Sequence, residues 1–208
     1  MGKFIIIEGD DGAGKTTFVN WLKKKHPEFV YSREPGGCEA GQEIRNMLLA
    51  DSGRHLNPST RFHLFWASRA ENLSKVIRPA LDEGKVVVSD RFDASTYAYQ
   101  IGGDGRRELG ALFWETREFH LFGLSPTCIF FVVPNHVSAV RLESRDTERN
   151  HFDESPDSYR RRVSESYRDF HHDPRVKSSI VFNADPPLEE MIEGAYKLFL
   201  EVLYSTQA

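Results

Sequence analysis

A glycine-rich segment near the start of the chain has the residue types and spacing of a phosphate-binding loop. Residues 9–16 read GDDGAGKT and fit the pattern G-x-x-x-x-G-K-[ST]. Glycines let backbone N–H groups approach an anionic phosphate closely, and a helix that begins there adds the positive end of its dipole. We expect Lys15 to reach the outer phosphates of ATP and the Thr16 hydroxyl to hold Mg²⁺. The predicted ATP-binding residues of this loop are Gly9, Asp10, Gly12, Ala13, Gly14, Lys15, Thr16 and Thr17.

Two adjacent carboxylates, those of Asp10 and Asp11, lie inside this loop. Because they would repel a bound triphosphate, we expect one of them to face a metal ion or a hydroxyl group of an acceptor molecule instead. The alternative interpretation is a solvated pair in a turn, since Asp is common in turns.

A second acidic residue, followed by an arginine, comes after a short apolar run later in the chain. Three valines at 86–88 predict a buried strand, and Asp90 and Arg91 follow at its carboxyl end. Ligands of open α/β sheets bind at that edge, so we expect Asp90 to anchor Mg²⁺ through water beside Thr16. Arg91 has the geometry to bind a phosphate through two hydrogen bonds. The alternative is a plain surface ion pair.

These residues require strands that end, and helices that begin, at one edge of a sheet. Apolar runs that alternate with helical patterns predict βαβ units and a parallel sheet covered on both faces. No repeat, low-complexity tract or linker divides the sequence, so we predict a single α/β domain over residues 1–208. The predicted strands are 3–8, 29–33, 85–89, 127–133 and 178–182, and the predicted helices are 15–26, 39–50, 59–83 with a break before Pro79, 106–122, 137–144, 156–171 and 188–204.

Composition limits the classes of protein to which the chain can belong. The 208 residues are 39% hydrophobic and carry a formal net charge of −4. A protein that coats nucleic acid non-specifically is usually basic, so this charge argues against that role. Two cysteines, Cys38 and Cys128, lie far apart without metal-ligand spacing, which favours a reducing, cytoplasmic location. No apolar stretch is long enough to cross a membrane, and the N-terminus lacks a cleavage pattern.

Three segments, taken together, resemble the hallmark segments of the thymidylate kinase family. They read FIIIEGDDGAGKTT at 4–17, REPGG at 33–37 and DRFDASTYAYQ at 90–100, in the family's order and at roughly its separations. The resemblance covers nearly the whole chain. It implies a P-loop NTPase fold with a five-stranded parallel sheet and a short arginine-rich lid at about residues 142–155. It also implies Mg²⁺ as a cofactor and a homodimer, with the helix around 59–78 at the interface.

The resemblance implies that the chain moves the γ-phosphate of ATP onto dTMP to give dTDP and ADP. A phosphate oxygen is already anionic near neutral pH, so such in-line transfer needs no strong general base. One alternative is a kinase of the same fold for another deoxynucleoside monophosphate, or for several. Another is a P-loop switch that binds a protein partner, although the N-K-x-D motif that would favour it is absent from the sequence.

The resemblance also assigns roles to individual residues of the acceptor site. Asp11 matches the loop acid that contacts the 3′-hydroxyl of the acceptor, and Arg45 and Arg91 match the arginines that hold its phosphate. Phe65 and Arg69 match the aromatic residue that stacks on thymine and the arginine that binds a thymine carbonyl. For Phe65, packing in a helix core is the alternative. The positions where the family closes around the base and deoxyribose are Ser95, Thr96, Tyr99, which matches the tyrosine that crowds a ribose 2′-hydroxyl, and Gln100.

Arginines recur every four residues in and just before the predicted lid. Arg141, Arg145 and Arg149 would share one face of a helix. We predict a lid whose positive charge closes over the ATP phosphates, with Arg141 in ATP binding and Arg145 and Arg149 in catalysis. The alternative is a solvated charged face. The full set of predicted catalytic residues is Lys15, Asp11, Arg91, Arg145 and Arg149.

The loop and the lid together resemble the lid-arginine, bacterial-like type of the family. Gly12 and Ala13 stand in the loop, where the other type carries its arginine. The chain departs from the pattern at 151–153, where His-Phe-Asp stands in place of a common Asp-Arg, so which of the arginines is catalytic stays open. Ser68 and Tyr97 also differ from the polar residues common in the family, and we expect this difference to act on base choice.

Overall fold

A parallel β-sheet runs through the centre of the protein. The computed structural model describes residues 2–144, 152 and 155–205. Its five strands within those residues are β1 (Phe4–Gly9), β2 (Val30–Arg33), β3 (Val87–Asp90), β4 (Thr127–Val132) and β5 (Ser179–Asn183). Their order across the sheet is β2-β3-β1-β4-β5, and each neighbouring pair is parallel. The predicted α/β fold with a five-stranded parallel sheet is therefore confirmed.

Helices cover both faces of this sheet. No helix in the described part of the chain combines the length and the apolar character that a membrane span requires. The α-helices are α1 (Lys15–Lys25), α2 (Glu39–Leu49), α3 (Pro58–Asn72), α4 (Arg78–Asp82), α5 (Asp93–Thr96), α6 (Gly110–Leu121), α7 (Asn135–Glu143), α8 (Asp157–His172) and α9 (Leu188–Tyr204), with 3₁₀ turns at Asp51–His55 and Arg107–Leu109 and π-helical turns at Leu73–Ile77 and Tyr97–Gly103.

The apolar run of β1 divides its side chains between two cores. Successive side chains of a strand point to opposite faces of the sheet. Phe4 and Ile6 belong to one buried cluster with residues of α3, α5, α6 and α8. Ile5 and Ile7 join a second cluster with residues of α1 and α9. A strand covered on both faces needs an unbroken apolar sequence, which is why this run reads as a buried strand.

The long helix predicted for 59–83 exists, with a change of pitch inside it. An α-helix over Pro58–Asn72 widens into a π-helical turn at Leu73–Ile77 before the short helix Arg78–Asp82. Proline lacks an N–H group and its ring clashes with the carbonyl four residues earlier, so Pro79 disturbs the preceding turn. The predicted break is thus a wider turn rather than an end of the helix.

A helical segment at 93–103 has no counterpart among the predicted elements. Its second half is a π-helix that packs against α8. A Cβ on Gly102 would lie 1.8 Å from Oγ of Ser166, and one on Gly103 would lie 2.6 Å from Cζ of Tyr159. These two glycines therefore allow α8 to pack closely against the segment. From the sequence alone, a Gly-Gly pair predicts a turn instead.

We expect Phe170→Ala to lower the free energy of unfolding by about 3–5 kcal/mol. Phe170 is fully buried on α8, where its ring stacks on Trp114 at 5.5 Å and contacts Tyr97 at 5.6 Å. Urea denaturation measures the change. The control is Tyr204→Ala, because that side chain is 76% exposed, and its expected change is within about 0.5 kcal/mol. Equal effects of the two substitutions would contradict the core position of Phe170.

Candidate active site

The glycine-rich motif forms the turn between β1 and α1, at the carboxyl ends of the strands. Gly14 has a φ of 86°, in the left-handed region that glycine adopts without steric cost, and α1 begins at the next residue. The first turn of α1 contains no acidic residue. Backbone N–H groups and the positive end of the helix dipole are therefore available to a phosphate here.

A cavity of about 790 Å³ opens at this edge of the sheet, within the range of ligand pockets. It extends from the loop, past the end of β3, to α3 and the helical segment 93–103. The predicted site residues that line it are Asp11, Gly12, Gly14, Lys15, Thr16, Thr17, Arg45, Phe65, Arg69, Asp90, Arg91, Ser95, Thr96, Tyr99, Gln100 and Arg141.

Three predicted residues of the loop do not line this cavity. They are Gly9, Ala13 and Asp10. The carboxylate of Asp10 faces α8, where it accepts a hydrogen bond from Oγ of Ser164 at 2.6 Å, and burial raises its pKa. Of the two loop acids, it is Asp11 whose carboxylate meets the cavity. Only Asp11 thus faces the cavity, its contact with a ligand stays a prediction, and Asp10 contributes to the loop through its backbone oxygen.

The groups suited to phosphate and metal lie where β1 and β3 end. Nζ of Lys15 donates to the backbone oxygen of Asp10 at 2.5 Å. Burial, together with the positive charge of nearby Arg91, lowers the pKa of Lys15 to about 8. Oγ1 of Thr16 donates to Oδ2 of Asp90 at 2.7 Å. A hydroxyl and a carboxylate side by side are oxygen donors of the kind that Mg²⁺ prefers.

Arg91 connects the loop with the acceptor side of the cavity. Among the described residues it is the one non-glycine with a positive φ, 71°, a strained conformation that is common at functional sites. Its guanidinium donates to the carboxylate of Asp11, and its Nη1 donates to Oη of Tyr167 at 2.8 Å and to Oγ of Ser95 at 3.0 Å. Oη of Tyr99 donates to the other Asp11 oxygen at 2.5 Å. Arg91 is thus a largely buried hub, and the alternative of a plain surface ion pair is wrong.

Glu8 and Tyr167 lie behind the cavity lining and hold Ser95 and Arg91, although neither was predicted as a site residue. The buried carboxylate of Glu8 accepts from the backbone N of Phe92 and from Oγ of Ser95, both at 2.7 Å. The Tyr167 hydroxyl lies 2.8 Å from Oγ of Ser95. Burial raises the pKa of Glu8, against the lowering effect of Arg91. A carboxylate inside an apolar strand is a sequence signal for Glu8, whereas the partners of Tyr167 are too distant in the chain to provide one.

Arg69 is held by three hydrogen bonds in the wall of the cavity. Its side chain is buried; Nε donates to Oε2 of Glu34 at 2.7 Å, and Nη2 donates to the backbone oxygen of Phe92 at 2.8 Å and to Oγ1 of Thr96 at 3.0 Å. Nη1 is also buried but has no hydrogen-bond partner among the described residues. Since a buried N–H without a partner costs free energy, Nη1 marks a position for an acceptor atom of a ligand.

Gln100 and Phe65 complete this wall. Gln100 is buried, and neither its amide nitrogen nor its amide oxygen has a hydrogen-bond partner within the described ranges. Phe65 lines the cavity, so the alternative of a helix-core residue is wrong for Phe65, whereas the neighbouring Trp66 is buried in the core. The wall thus offers an aromatic side chain, a guanidinium donor and an amide that both donates and accepts.

Ser68 and Tyr97 do not reach the cavity. Oγ of Ser68 accepts a hydrogen bond from the backbone N of Gly36 at 3.0 Å, behind the cavity wall. The ring of Tyr97 packs against Phe113 and Phe170 in the core. Neither side chain lines the cavity, so an action of these two residues on base choice would have to be indirect, and that expectation stays a prediction.

Arg45 and Arg141 belong to opposite ends of the cavity. Nη1 of Arg45 donates to the backbone oxygen of Pro35 at 2.9 Å. Nη1 of Arg141 donates to the backbone oxygen of Ala184 at 2.9 Å and so ties α7 to the loop between β5 and α9. The other two predicted lid arginines, Arg145 and Arg149, lie outside the described residues.

Comparisons with known proteins agree with this geometry. The chain matches the family model described as thymidylate kinase over residues 7–193. It is 38% identical over 173 residues to the thymidylate kinase of Nitrosospira multiformis, covering 80% of this chain and 82% of that protein. It is 45% identical over 151 residues to that of Nitrosomonas europaea, covering 69% and 67%. The crystal structure of thymidylate kinase from Ehrlichia chaffeensis aligns with a TM-score of 0.73 at 25% identity, covering 96% of this chain and 98% of that one.

We expect ATP affinity to fall as the pH rises above 8. Lys15 is charged below its pKa of about 8 and neutral above it, so the free protein loses the cation that we expect to meet the outer phosphates. If only the charged form binds, ATP binds about tenfold more weakly at about pH 9 than at about pH 7. Calorimetric titration with ATP measures this change.

The matched variant for this measurement is Lys15→Arg. Its guanidinium stays protonated over the whole range, so its ATP affinity, even if lower at pH 7, does not fall further toward pH 9. An affinity that declines equally in both proteins would assign the titration to another group.

Proposed function

The chain belongs to the thymidylate kinase family and phosphorylates dTMP to dTDP with ATP, and we propose how the residues of its cavity divide this task. One observation carries the assignment of the acceptor site. Nη1 of Arg69 and both polar atoms of the Gln100 amide are buried without partners beside Phe65. A planar base with a polar edge satisfies all of these groups at once.

We assign base recognition to Phe65, Arg69 and Gln100. Thymine stacks on Phe65, a contact worth about 1–3 kcal/mol with little base choice. Its 4-carbonyl accepts from Nη1 of Arg69, and the amide of Gln100 pairs with an N–H donor and a carbonyl of the ring. Cytosine carries an amino group at position 4, so two donors would meet there. Sites built to pair with a polar group reject analogues that lack it far more strongly than a missing methyl group.

We assign the deoxyribose and the acceptor phosphate to the residues around Arg91. Tyr99 lies against Arg91, with its ring centroid 5.4 Å from the guanidinium carbon, and donates to Asp11. As the family resemblance implies, we propose that Tyr99 fills the space that a ribose 2′-hydroxyl would need and that Asp11 accepts from the 3′-hydroxyl. Arg91 and Arg45 bind the phosphate, since a guanidinium matches phosphate oxygens through two parallel hydrogen bonds.

We assign the ATP phosphates to residues 9–17 and propose a direct transfer. An oxygen of the dTMP phosphate attacks the γ-phosphorus of ATP. The bond between that phosphorus and the β,γ-bridging oxygen breaks, and its electron pair leaves with ADP. Lys15 stabilises charge on the transferring group, which is the main catalytic requirement of phosphoryl transfer. In the predicted lid, at about 142–155 of a single domain over 1–208, Arg145 and Arg149 supply further positive charge, and Arg141 contacts ATP.

We propose that Thr16 and Asp90 hold Mg²⁺ together with the phosphates. Both side chains line the cavity with oxygen donors 2.7 Å apart. In the described part of the chain, no group of three or more His, Cys, Asp or Glu residues could hold a metal by itself. Mg²⁺ commonly binds through one or two carboxylates plus substrate phosphates, so these two residues fit it. When bound, the ion neutralises charge on the phosphates.

We expect turnover to be highest with dTMP in a panel of dTMP, dUMP, dCMP, dGMP, dAMP and UMP. A coupled assay of ADP release, with ATP and Mg²⁺, measures kcat/KM for each. The methyl group alone accounts for about 10–200-fold between dTMP and dUMP, and the mismatched base edge makes dCMP poorer than dUMP. Chelating the metal abolishes turnover in the same assay. Equal rates with dCMP and dUMP would overturn the assignment of Arg69 and Gln100.

We also propose that the protein is a homodimer, through a face beside the helix around 59–78 rather than through the aromatic side chains Phe62 and Trp66 of that helix. Phe62 and Trp66 of α3 are buried within one chain. Exposed apolar side chains on helices that contact α3 are Met47 on α2 and Leu112 and Phe119 on α6. Burying such side chains against a second copy removes apolar surface from water.

We expect light scattering to give twice the mass of one chain. Phe119→Asp shifts the measured mass toward that of the monomer, because a charge replaces a 76% exposed apolar ring at the proposed interface. The control is Tyr204→Asp, which introduces the same charge at an equally exposed aromatic position on α9 and leaves the mass unchanged. A wild-type protein of monomer mass would remove the proposal.

A cytoplasmic location is part of the same proposal. Cys38 and Cys128 are free thiols in the structure, and free thiols persist in reducing compartments. Cell fractionation that finds the protein only outside the cytoplasm would contradict it.

A further inference from the structure

The carboxylate of Glu34 forms a buried ion pair at the edge of the cavity. Oε2 accepts from Nε of Arg69 at 2.7 Å, and the two side chains are 2% and 1% exposed. Oε1 accepts from Nδ2 of Asn72 at 3.2 Å. Removing two charges from water costs about as much as their attraction returns, so such a pair is weak evidence for a role in stability. It instead fixes the direction of the groups that it joins.

The geometry of Arg69 shows what is fixed. The guanidinium is planar, so hydrogen bonds through Nε and Nη2 leave Nη1 with a single direction. Nε is held by Glu34, and Nη2 by the backbone oxygen of Phe92 and by Oγ1 of Thr96. Nη1 alone has no partner among residues 2–144, 152 and 155–205, and Arg69 lines the cavity.

Glu34 is itself held in place from two sides. Its backbone N donates to the backbone oxygen of Asp90 at 3.0 Å, which continues the pairing of β2 with β3. Its carboxylate binds Asn72, and Oδ1 of Asn72 accepts from Oγ of Ser32 at 2.8 Å. A chain of buried hydrogen bonds therefore runs from β2 through α3 to the guanidinium.

We propose that Glu34 is a positioning residue for base choice, one that aims Nη1 of Arg69 at the carbonyl in position 4 of the pyrimidine. The proposal rests on the proposed function, because it requires a pyrimidine nucleotide in this cavity. Glu34 does not contact the reacting atoms. Its loss therefore acts on acceptor binding and on the choice between a keto and an amino group, and much less on the transfer step.

The test compares wild type with Glu34→Gln, which keeps the size of the side chain and removes its charge. The substrates are dTMP, dUMP and dCMP at saturating ATP. The ratio of kcat/KM for dUMP over dCMP isolates the base edge, since neither base carries the methyl group. We expect this ratio to fall about tenfold, equivalent to 1.4 kcal/mol, and the KM for dTMP to rise about tenfold. The kcat for dTMP and the KM for ATP stay within about threefold of wild type. A change of only that size in the dUMP to dCMP ratio would not support a positioning role.

Two further variants separate positioning from general damage. Glu34→Asp keeps the charge but retracts the carboxylate by one methylene, so the ratio of dUMP to dCMP falls here too. Asp104→Asn removes the charge of another largely buried carboxylate, which pairs with Arg61 at 2.9 Å and does not line the cavity, and its ratio stays within about threefold of wild type. If Glu34→Gln is poorly folded, Glu34→Asp alone decides.

The outcomes distinguish this proposal from the proposed function. A wild-type protein that does not phosphorylate dTMP would overturn the function. A wild-type protein that prefers dTMP, with an unchanged dUMP to dCMP ratio in both Glu34 variants, would leave the function intact and overturn the positioning role. A loss in kcat and in ATP binding of the same size as the loss in the ratio would also overturn it.

Discussion

The arrangement of the site depends on the largely buried guanidinium of Arg91. A buried charge needs hydrogen-bond partners on every side, because the interior returns little of its lost hydration. Arg91 finds them on β1, through the backbone oxygen of Gly9, in the loop through Asp11, on α5 through Ser95 and on α8 through Tyr167. Four separate elements must therefore pack correctly before this cation points into the cavity. The strained backbone at Arg91 persists because those contacts determine it.

The same requirement explains the acids beneath and beside Arg91. Glu8 is buried near the end of β1, and its carboxylate accepts from three donors of the segment 92–95, namely the backbone N of Phe92 and the backbone N and Oγ of Ser95. Asp10 turns away from the phosphate space toward Ser164, whereas Asp11 stays at the cavity between Arg91 and Tyr99. These carboxylates thus hold Arg91 and the loop in place, and the groups that we propose for phosphate binding are the loop's backbone N–H groups, Lys15 and the arginines.

The features that the sequence predicts well are those encoded by neighbouring residues. The run FIIIEG and the triple valine identify strands to within two residues, since apolar runs in parallel sheets are continuous, and GDDGAGKT identifies its own turn and helix. Features that depend on distant residues could not be found in this way. Such features become visible only in the folded structure. They are the partners of Arg69, the roles of Glu8 and Tyr167 and the exposure of Phe65 to the cavity. The π-helix at 97–103 is a similar case. Its two glycines are needed because α8, about sixty residues later in the chain, packs closely against them.

The anchoring of α8 has a consequence for both parts of the site. Ser164 of this helix donates to the loop acid Asp10, and Tyr167 accepts from the guanidinium of Arg91. One helix thus contacts the loop between β1 and α1 as well as the arginine at the end of β3. A displacement of α8 would therefore move both groups together, so a ligand that shifts this helix at one of them would change affinity at the other, and the change is equal in both directions.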